Sequence, residues 1–307
     1  MRSLKSCFTI FILLLCVAPV MWSQQTPVFS DYNYNTIIIN PAHTGISEST
    51  EIAFTNRGLI DAFEGTPRYL SLSVSLPREY AGFGGGILRD EIGVTASTHF
   101  FASYAYKIFL DQDTNVPRWH NSNPNVLSFG ISAGLLQYSE DLLDLDITND
   151  INFAQNINAS IPTIGAGVLF NRRSFYLGAA APNIVGDLLS SEQNIELQVP
   201  YYAYAGYRIY AGALEEFYLK PNALIKWTQG APTQIDMNLF VNYKSKLEAG
   251  IGYRTGSLIN MLAGFYLFDN LRLNYTYNLA LNNSPLGSSQ GFSLSYRAGS
   301  GFSGRRR

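Results

Sequence analysis

The stretch LRLNYTYNLAL, from Leu271 to Leu281, alternates apolar residues with small or polar residues along its whole length. A period of two places successive side chains on opposite faces of an extended strand. Strands of soluble proteins average about five or six residues. A tilted strand that crosses a bilayer needs about 9–11 residues, which is the length of this run. We therefore predict a membrane-spanning strand with one apolar and one polar face.

The same alternation recurs along the chain, and two architectures fit it. A soluble β-sandwich turns its apolar face inward, whereas a membrane barrel turns it outward. The long runs, and the small or polar residues on their second face, favour a barrel. We predict an all-β fold, a transmembrane antiparallel β-barrel of about 14 strands with an irregular N-terminal segment at its periplasmic end. The candidate strands lie near 49–58, 67–77, 81–90, 95–108, 125–138, 161–170, 174–182, 201–211, 215–227, 233–243, 246–255, 259–268, 270–281 and 290–298.

The connections between these strands test the barrel prediction. With the N-terminus in the periplasm, every second link should be a short periplasmic turn. The links at 139–160 and 183–200 fall on the outer side and are long. The link at 109–124 breaks the rule, because it should be periplasmic yet is long and rich in Asn and Pro. Either this turn is elaborated or a strand is miscounted.

Composition agrees with a membrane barrel. Charged residues make up 14% of the 307 residues, against about 25% in soluble domains. Tyr and Phe are frequent, at 20 and 19 residues. The formal net charge of −2 gives no indication of nucleic-acid binding. We expect the outer face to contact outer-membrane lipid and lipopolysaccharide.

The first 23 residues have the pattern of a secretory signal peptide. Arg2 and Lys5 precede an apolar stretch that ends at Ser23. A lipoprotein signal ending at Cys16 is the alternative, although Leu15 is larger than the small residue such signals carry. We predict cleavage before residue 24, a plug or periplasmic segment at 24–48, a barrel at 49–298 and a flexible basic tail at 299–307.

Residues that could carry chemistry do not form a recognisable set. His43, His99 and His120 lack the spacing of a zinc site, and no base accompanies the serines. The glycine run at 82–86 lacks the end of a phosphate loop, and we interpret it as room for something packed inside the wall. The acidic segment at 140–152 is expected to be a solvated outer loop, with a divalent cation site as the alternative. We expect no catalytic, metal or cofactor site and no enzyme activity.

The segment FSDYNYNTIIINPAHTG, residues 29–45, has neither a helical nor a strand period, yet it is distinctive. Together with the block that follows, it resembles the N-terminus of the PorP/SprF family of outer-membrane proteins of the Bacteroidota. Leu59, Ile60, Gln290 and Gly291 depart from the family pattern, which indicates a divergent branch. The matching residues, which we expect to contact a partner or to form a plug, are Phe29, Tyr32, Asn35, Asn40, Pro41, Gly45, Arg57, Gly65 and Pro67.

The resemblance implies a role in type IX secretion and gliding motility. Expected partners are a secreted cargo, through the C-terminal domain of an adhesin, and other secretion or periplasmic peptidoglycan-linked components. The barrel would support export or surface anchoring of that cargo at the cell outer membrane of a Gram-negative bacterium. The alternative is a passive channel or transporter for small or hydrophobic molecules, and an outer-membrane hydrolase ranks third.

Overall fold

The structure is a computed structural model of the chain. It describes residues 30–59, 65–111, 125–145, 155–185, 199–212, 216–256, 258–281, 287–299 and 301–302. Several predictions lie outside the described residues. They are those on the signal peptide, Phe29, His120, the later part of the acidic segment with Asp146 and Asp150, and Arg305 to Arg307.

The described strands form one closed antiparallel sheet, because the first strand pairs with the last as well as with the second. Strands β8 and β9 pair with β10 in one continuous register and are two parts of one barrel strand, interrupted at Arg208. The barrel therefore has 14 strands, which confirms the prediction. The strands are β1 (Glu51–Leu59), β2 (Arg68–Pro77), β3 (Ala81–Ile92), β4 (Thr95–Asp111), β5 (Asn125–Glu140), β6 (Ile157–Asn171), β7 (Phe175–Ala181), β8 (Pro200–Tyr207), β9 (Ile209–Ala211), β10 (Phe217–Thr228), β11 (Gln234–Tyr243), β12 (Leu247–Arg254), β13 (Leu258–Leu267), β14 (Leu271–Ala280) and β15 (Ser289–Arg297).

The wall has its apolar face outside and its polar face inside. In β14, Arg272, Asn274 and Thr276 are buried, while Leu273 and Tyr275 on the other face are only half-buried. The remaining strands follow the same rule, so large apolar side chains cover the exterior. This is the polarity of a membrane barrel, and the sandwich alternative is wrong.

The two ends of the barrel differ. At one end, which we call the turn end, β1 begins beside the end of β15, where Glu51 pairs with Arg297. Short links at 78–80, 172–174, 244–246 and 268–270 lie at this end. The opposite end, which we call the loop end, carries the links between β5 and β6 and between β7 and β8. Short turns mark the periplasmic side of bacterial barrels.

The strands on either side of the long link after β4 pair directly, so no barrel strand lies between them. β4 continues beyond the predicted end of its strand to Asp111 and pairs directly with β5, from Thr95 opposite Glu140 to Asp111 opposite Asn125. A register shift between Phe109 and Asp111 marks an irregularity at the turn end of this pair. The two strands are therefore sheet neighbours, joined by the chain between them.

Residues 30–50, which we call the plug segment, lie inside the barrel. The segment contains three 3₁₀ helices, and a fourth follows β5. Among the described residues, no helix combines the length and apolar character needed to cross a membrane. The helices are η1 (Ser30–Asn33), η2 (Thr36–Ile38), η3 (Pro41–His43) and η4 (Leu142–Leu145).

The described end of the chain is packed and not loose. Phe302 is 1% exposed, and its ring lies 4.8 Å from the Arg272 guanidinium and 4.3 Å from that of Arg297. Its amide also donates to the carbonyl of Asp269 at 2.6 Å. The Phe302 ring therefore covers two cationic side chains at the turn end.

Candidate functional site

The plug segment is shaped by its own sequence around Asn40. The Asn40 side chain accepts a hydrogen bond from the Ala42 amide at 2.8 Å and so caps η3. Pro41 occupies the first turn, where its missing amide hydrogen costs nothing. Gly45 adopts a φ of +67°, a left-handed conformation that favours glycine. The short helix and the glycine let the chain turn back toward the wall.

The plug segment bonds to strands all around the barrel. Several of these bonds involve its buried tyrosine, asparagine and threonine side chains. Because the bonds reach the wall from opposite sides, the segment spans the lumen. The bonds are Gly45 N to Ser75 Oγ in β2 (2.8 Å), Thr44 Oγ1 with Ser103 Oγ in β4 (2.9 Å), Ser128 Oγ in β5 to Ala42 O (2.8 Å), Asn40 Nδ2 to Val168 O in β6 (3.1 Å) and to Tyr204 Oη in β8 (2.7 Å), Tyr32 Oη to Asn222 Oδ1 in β10 (3.4 Å), Tyr34 Oη to Glu248 Oε1 in β12 (2.7 Å) and Arg272 Nη2 in β14 to Tyr34 O (3.2 Å).

Glycines in the wall leave the room that this segment needs. A Cβ added at Gly82 in β3 would lie 2.0 Å from the carbonyl oxygen of Thr44. At Gly130 in β5 it would lie 2.2 Å from the Ala42 amide nitrogen, and at Gly167 in β6 it would lie 2.1 Å from Asn40 Oδ1. Any side chain at these positions would therefore displace η3 or the residues beside it.

The polar side chains around the plug segment are either neutral or paired with an opposite charge. Burial raises the pKa of the Tyr34 hydroxyl, and the nearby Glu248 carboxylate raises it further, so this hydroxyl remains a hydrogen-bond donor. The Arg272 guanidinium lies 4.8 Å from the Tyr34 ring. It also pairs with the Glu51 carboxylate at 3.3 Å, which Arg297 approaches to 2.6 Å.

His43 is the last residue of η3 and lies inside the barrel. Its Nε2 is 2.6 Å from the Tyr204 hydroxyl. Burial lowers the pKa of His43 to about 3, and the positive charges of Arg208 and Lys220 add to this effect. The ring is therefore neutral near pH 7. His99, on β4, lies 2.8 Å from Thr163 Oγ1.

No group of three or more His, Cys, Asp or Glu residues suited to a metal ion occurs in the part of the chain that the structure describes. In the acidic segment, Asp141 accepts a hydrogen bond from Asn156 at 3.1 Å. Asn156 also accepts from the Leu143 amide at 3.0 Å, so these groups stabilise the loop around η4.

A cavity of about 240 Å³ lies between the plug segment and the turn end. Its wall residues come from the turn-end parts of the strands, such as Ser75, Tyr218 and Arg297. Tyrosine rings from both the plug segment and the wall surround it, among them Tyr32 and Tyr210. The cavity is therefore an aromatic and polar chamber at the end where periplasmic turns are expected.

The structure separates the sequence-predicted site residues into two groups. Asn35, which accepts a hydrogen bond from Ser73 at 2.7 Å, belongs to the buried plug segment. Arg57 is buried in the loop-end half of β1, and Gly65 accepts a hydrogen bond from the Gly93 amide at 2.8 Å near the loop end. The plug group is Tyr32, Asn35, Asn40, Pro41 and Gly45, and the loop-end group is Arg57, Gly65 and Pro67.

A family model described as the type IX secretion system membrane protein PorP/SprF matches residues 22–297. This chain belongs to the PorP/SprF family. Its place in the outer membrane follows from that membership and from the barrel. No curated protein matches the chain.

Solved structures similar to this member of the PorP/SprF family include an outer membrane protein and two channels. The outer membrane protein Omp33 of Acinetobacter baumannii is 7% identical, with a TM-score of 0.45, 83% of this chain covered and 100% of that one. A TodX deletion mutant, a monoaromatic hydrocarbon channel, is 10% identical, with a TM-score of 0.48 and coverages of 85% and 93%. The CymD monoaromatic hydrocarbon channel is 10% identical, with a TM-score of 0.46 and coverages of 86% and 98%.

Sequence reasoning missed the wall residues that hold the plug segment. Lys107 in β4 donates to the carbonyl oxygens of Gly45 at 2.8 Å and Arg78 at 2.7 Å. Tyr204 in β8 bonds to Asn40, and Glu248 in β12 bonds to the plug through Tyr34. Their position on the polar face of a strand is a usable signal, but it does not identify the contact that each one makes.

Proposed function

We propose that this PorP/SprF barrel is a non-enzymatic component of type IX secretion and gliding motility that acts by binding protein partners. In this role it supports the export or surface anchoring of a cognate secreted adhesin. Family membership supports the secretion role. The observation that carries the binding role is the filled lumen, because the plug segment bonds to eight strands between β2 and β14.

A filled lumen favours a scaffold for three reasons. Backbone inside a barrel is stable only where its polar groups form hydrogen bonds with protein or water, and the wall forms such bonds with the backbone of Tyr34, Ala42 and Gly45. Its apolar side chains Ile37 and Ile39 are buried, at 7% and 6% exposure. Opening the lumen would expose these side chains and break several hydrogen bonds, so spontaneous opening is costly.

The partners fall on different surfaces of the barrel. The C-terminal domain of the adhesin cargo and the other secretion or peptidoglycan-linked components would bind at the polar ends. Outer-membrane lipid and lipopolysaccharide would contact the apolar exterior, where large side chains such as Ile131 and Phe292 are more than half exposed. The turn end offers its rim and its cavity to a periplasmic protein.

The alternative function is a passive channel or transporter, and conductance separates the two. The purified mature chain is inserted into planar bilayers and compared with the same chain lacking residues 30–48. We expect little conductance from the intact barrel and large, steady conductance once these residues are removed. Steady porin-sized conductance of the intact barrel would favour the channel and count against the plugged scaffold.

A deletion strain tests the secretion role in cells. We expect loss of the gene to leave one surface adhesin undelivered or shed into the medium, while uptake of a small hydrophilic antibiotic is unchanged. Complementation with the intact chain should restore the adhesin to the surface. Normal adhesin delivery together with altered permeability would contradict the proposed function.

A further inference from the structure

Two cations face each other across neighbouring strands in the turn-end cavity. The register of β8 and β9 with β10 places Gly206 opposite Asn222 and Ile209 opposite Leu219. Arg208 is therefore directly opposite Lys220, at the break between β8 and β9. Both residues line the cavity. Like charges at directly opposed positions of a sheet destabilise it, so the wall carries an unfavourable pair here.

The described residues offer this pair no counter-ion in direct contact. Arg208 donates to the carbonyl oxygens of Arg172 at 2.9 Å and Arg173 at 3.3 Å and to Asn171 Oδ1 at 3.0 Å, which are all neutral acceptors. Lys220 has no hydrogen-bond acceptor among the described residues, and its ammonium lies 5.4 Å from the ring centre of Phe240.

The nearby carboxylates are engaged elsewhere. Glu248, two strands from Lys220 in β12, accepts hydrogen bonds from Tyr34, Tyr266 and Asn242 at 2.7, 2.7 and 3.1 Å. Glu51 is paired with both Arg272 and Arg297. His43, which also lines the cavity, is neutral.

The rest of the cavity suits a short peptide. Tyrosine rings line it and offer apolar surface. One face of Tyr176 is covered by the Arg208 guanidinium at 4.8 Å and one face of Tyr210 by that of Arg173 at 5.1 Å, so the opposite faces remain for a ligand. The Tyr218 hydroxyl has no partner among the described residues, and its ring contacts that of Tyr210 at 6.0 Å between centroids. A volume of about 240 Å³ is below that of a drug-sized pocket and fits only the end of a chain.

We propose that this cavity binds the C-terminal carboxylate of an extended peptide from a periplasmic partner, with Lys220 and Arg208 as the cations and Tyr218 as a hydrogen-bond donor. The proposal rests on the function proposed above and names the chemistry by which a partner is held. The carboxylate supplies the charge that the Arg208–Lys220 pair lacks, and the last side chains of the peptide contact the tyrosine rings.

Basic residues of this chain after Phe302 match the site poorly in charge. The sequence after Phe302 carries Arg305, Arg306 and Arg307, which would add three positive charges to a cationic cavity. An anion from a second protein matches the charge of the cavity better.

Calorimetric titration of the mature barrel in detergent tests the site. The probes are N-acetyl-Tyr-Val with a free carboxylate, the same dipeptide as its C-terminal amide, and inorganic phosphate. We expect the acid to bind at least about tenfold more tightly than the amide, because the amide lacks the charge-assisted hydrogen bonds. Equal binding of acid and amide, no binding of the acid, or phosphate binding as tightly as the acid would each overturn the assignment.

Two variants and a control locate the binding. Lys220→Met should weaken acid binding about tenfold and leave the melting temperature equal or higher, because it removes a like-charge contact. A lysine with a purely structural role would give a lower melting temperature. If Lys220→Met does not fold, Tyr218→Phe should weaken acid binding a few-fold. Lys244→Met removes a rim charge that is paired with Glu216 at 2.7 Å and should bind the acid normally.

Unchanged acid binding in Lys220→Met or in Tyr218→Phe overturns the site, as does an equal loss in Lys244→Met. Failure of this test is distinguishable from failure of the proposed function. The peptide titration concerns the cavity alone, whereas adhesin delivery in the deletion strain concerns the secretion role and does not depend on the titration.

Discussion

The Lys107 ammonium donates a hydrogen bond to the carbonyl oxygen of Gly45 at 2.8 Å, and so ties the end of the plug segment to β4. The same ammonium donates to the Arg78 carbonyl oxygen in the turn between β2 and β3 at 2.7 Å. Its side chain is buried, at 4% exposure. One cation therefore joins the plug segment to two parts of the wall at the turn end.

Lys107→Met should loosen the plug segment without opening the barrel. Hydrogen bonds to a charged group contribute about 1.5–3 kcal/mol, so the segment should open roughly 10- to 100-fold more often. Chymotrypsin reports this opening, because the segment contains Tyr32 and Tyr34 but no Lys or Arg. Lys244→Met, at the exposed rim, is the control. Equal cleavage rates for Lys107→Met and the unmodified chain would show that the contact does not hold the segment.

Alanine substitutions at two separate glycines test whether the plug segment closes the lumen. Gly82→Ala places a Cβ 2.0 Å from the Thr44 carbonyl oxygen, a backbone atom that cannot rotate away. We expect η3 to shift, at a cost of about 1–3 kcal/mol, and bilayer conductance to rise. Gly58→Ala is the matched control, because nothing lies within 4 Å of its added Cβ. The idea fails if both variants conduct as little as the unmodified barrel.

The barrel could be predicted from the sequence because its signal is local. Odd- and even-numbered residues of each strand differ in polarity, and this difference predicts its two faces. In β15, Leu294 and Tyr296 alternate with Ser293 and Ser295, and the structure places the apolar residues outside. The ends of the strands have a weaker signal in the sequence, because a strand such as β4 continues past its last alternating residue. The break at Arg208 carries no local signal that distinguishes it from a continuous strand.

The plug contacts could not be predicted, because they join residues far apart in sequence. Asn40 meets Tyr204 across 164 positions, and Arg272 meets Tyr34 across 238. Such pairs depend on the closure of the barrel and on the register of every strand between them. The sequence resemblance identified Asn40 as distinctive, but its roles as a helix cap and a wall contact required the folded structure.

Docking of the plug segment should weaken in acid because of His43. Burial holds its pKa at about 3, whereas a released His43 would titrate near its ordinary value of about 6.5. The released state therefore binds more protons below pH 6.5, and docking loses about 1.4 kcal/mol per pH unit between about 6.5 and 3. Arg208 and Lys220 oppose protonation of the docked ring throughout this range.

Hydrogen exchange of the plug amides, followed from pH 7 to pH 4 and corrected for the intrinsic rate, measures this effect. The protection should fall with pH in the unmodified chain. His43→Gln keeps a polar side chain near the Tyr204 hydroxyl but does not titrate, so its corrected protection should depend much less on pH. An identical pH dependence in both chains would assign the effect to other groups.

A disulfide between the plug segment and the wall tests whether the plug segment must move during function. Thr44 Oγ1 and Ser103 Oγ are 2.9 Å apart, so cysteines at both positions would bring their sulfur atoms close to bonding distance. The native cysteines are Cys7 and Cys16, both in the predicted signal peptide, so no other thiol would compete. If the plug segment is a fixed part of the scaffold, the oxidised double variant should deliver the adhesin normally and suppress the cleavage caused by Lys107→Met.

The single-cysteine variants serve as controls. Loss of delivery that appears only on oxidation and is reversed by a reductant would mean that the plug segment has to leave the wall.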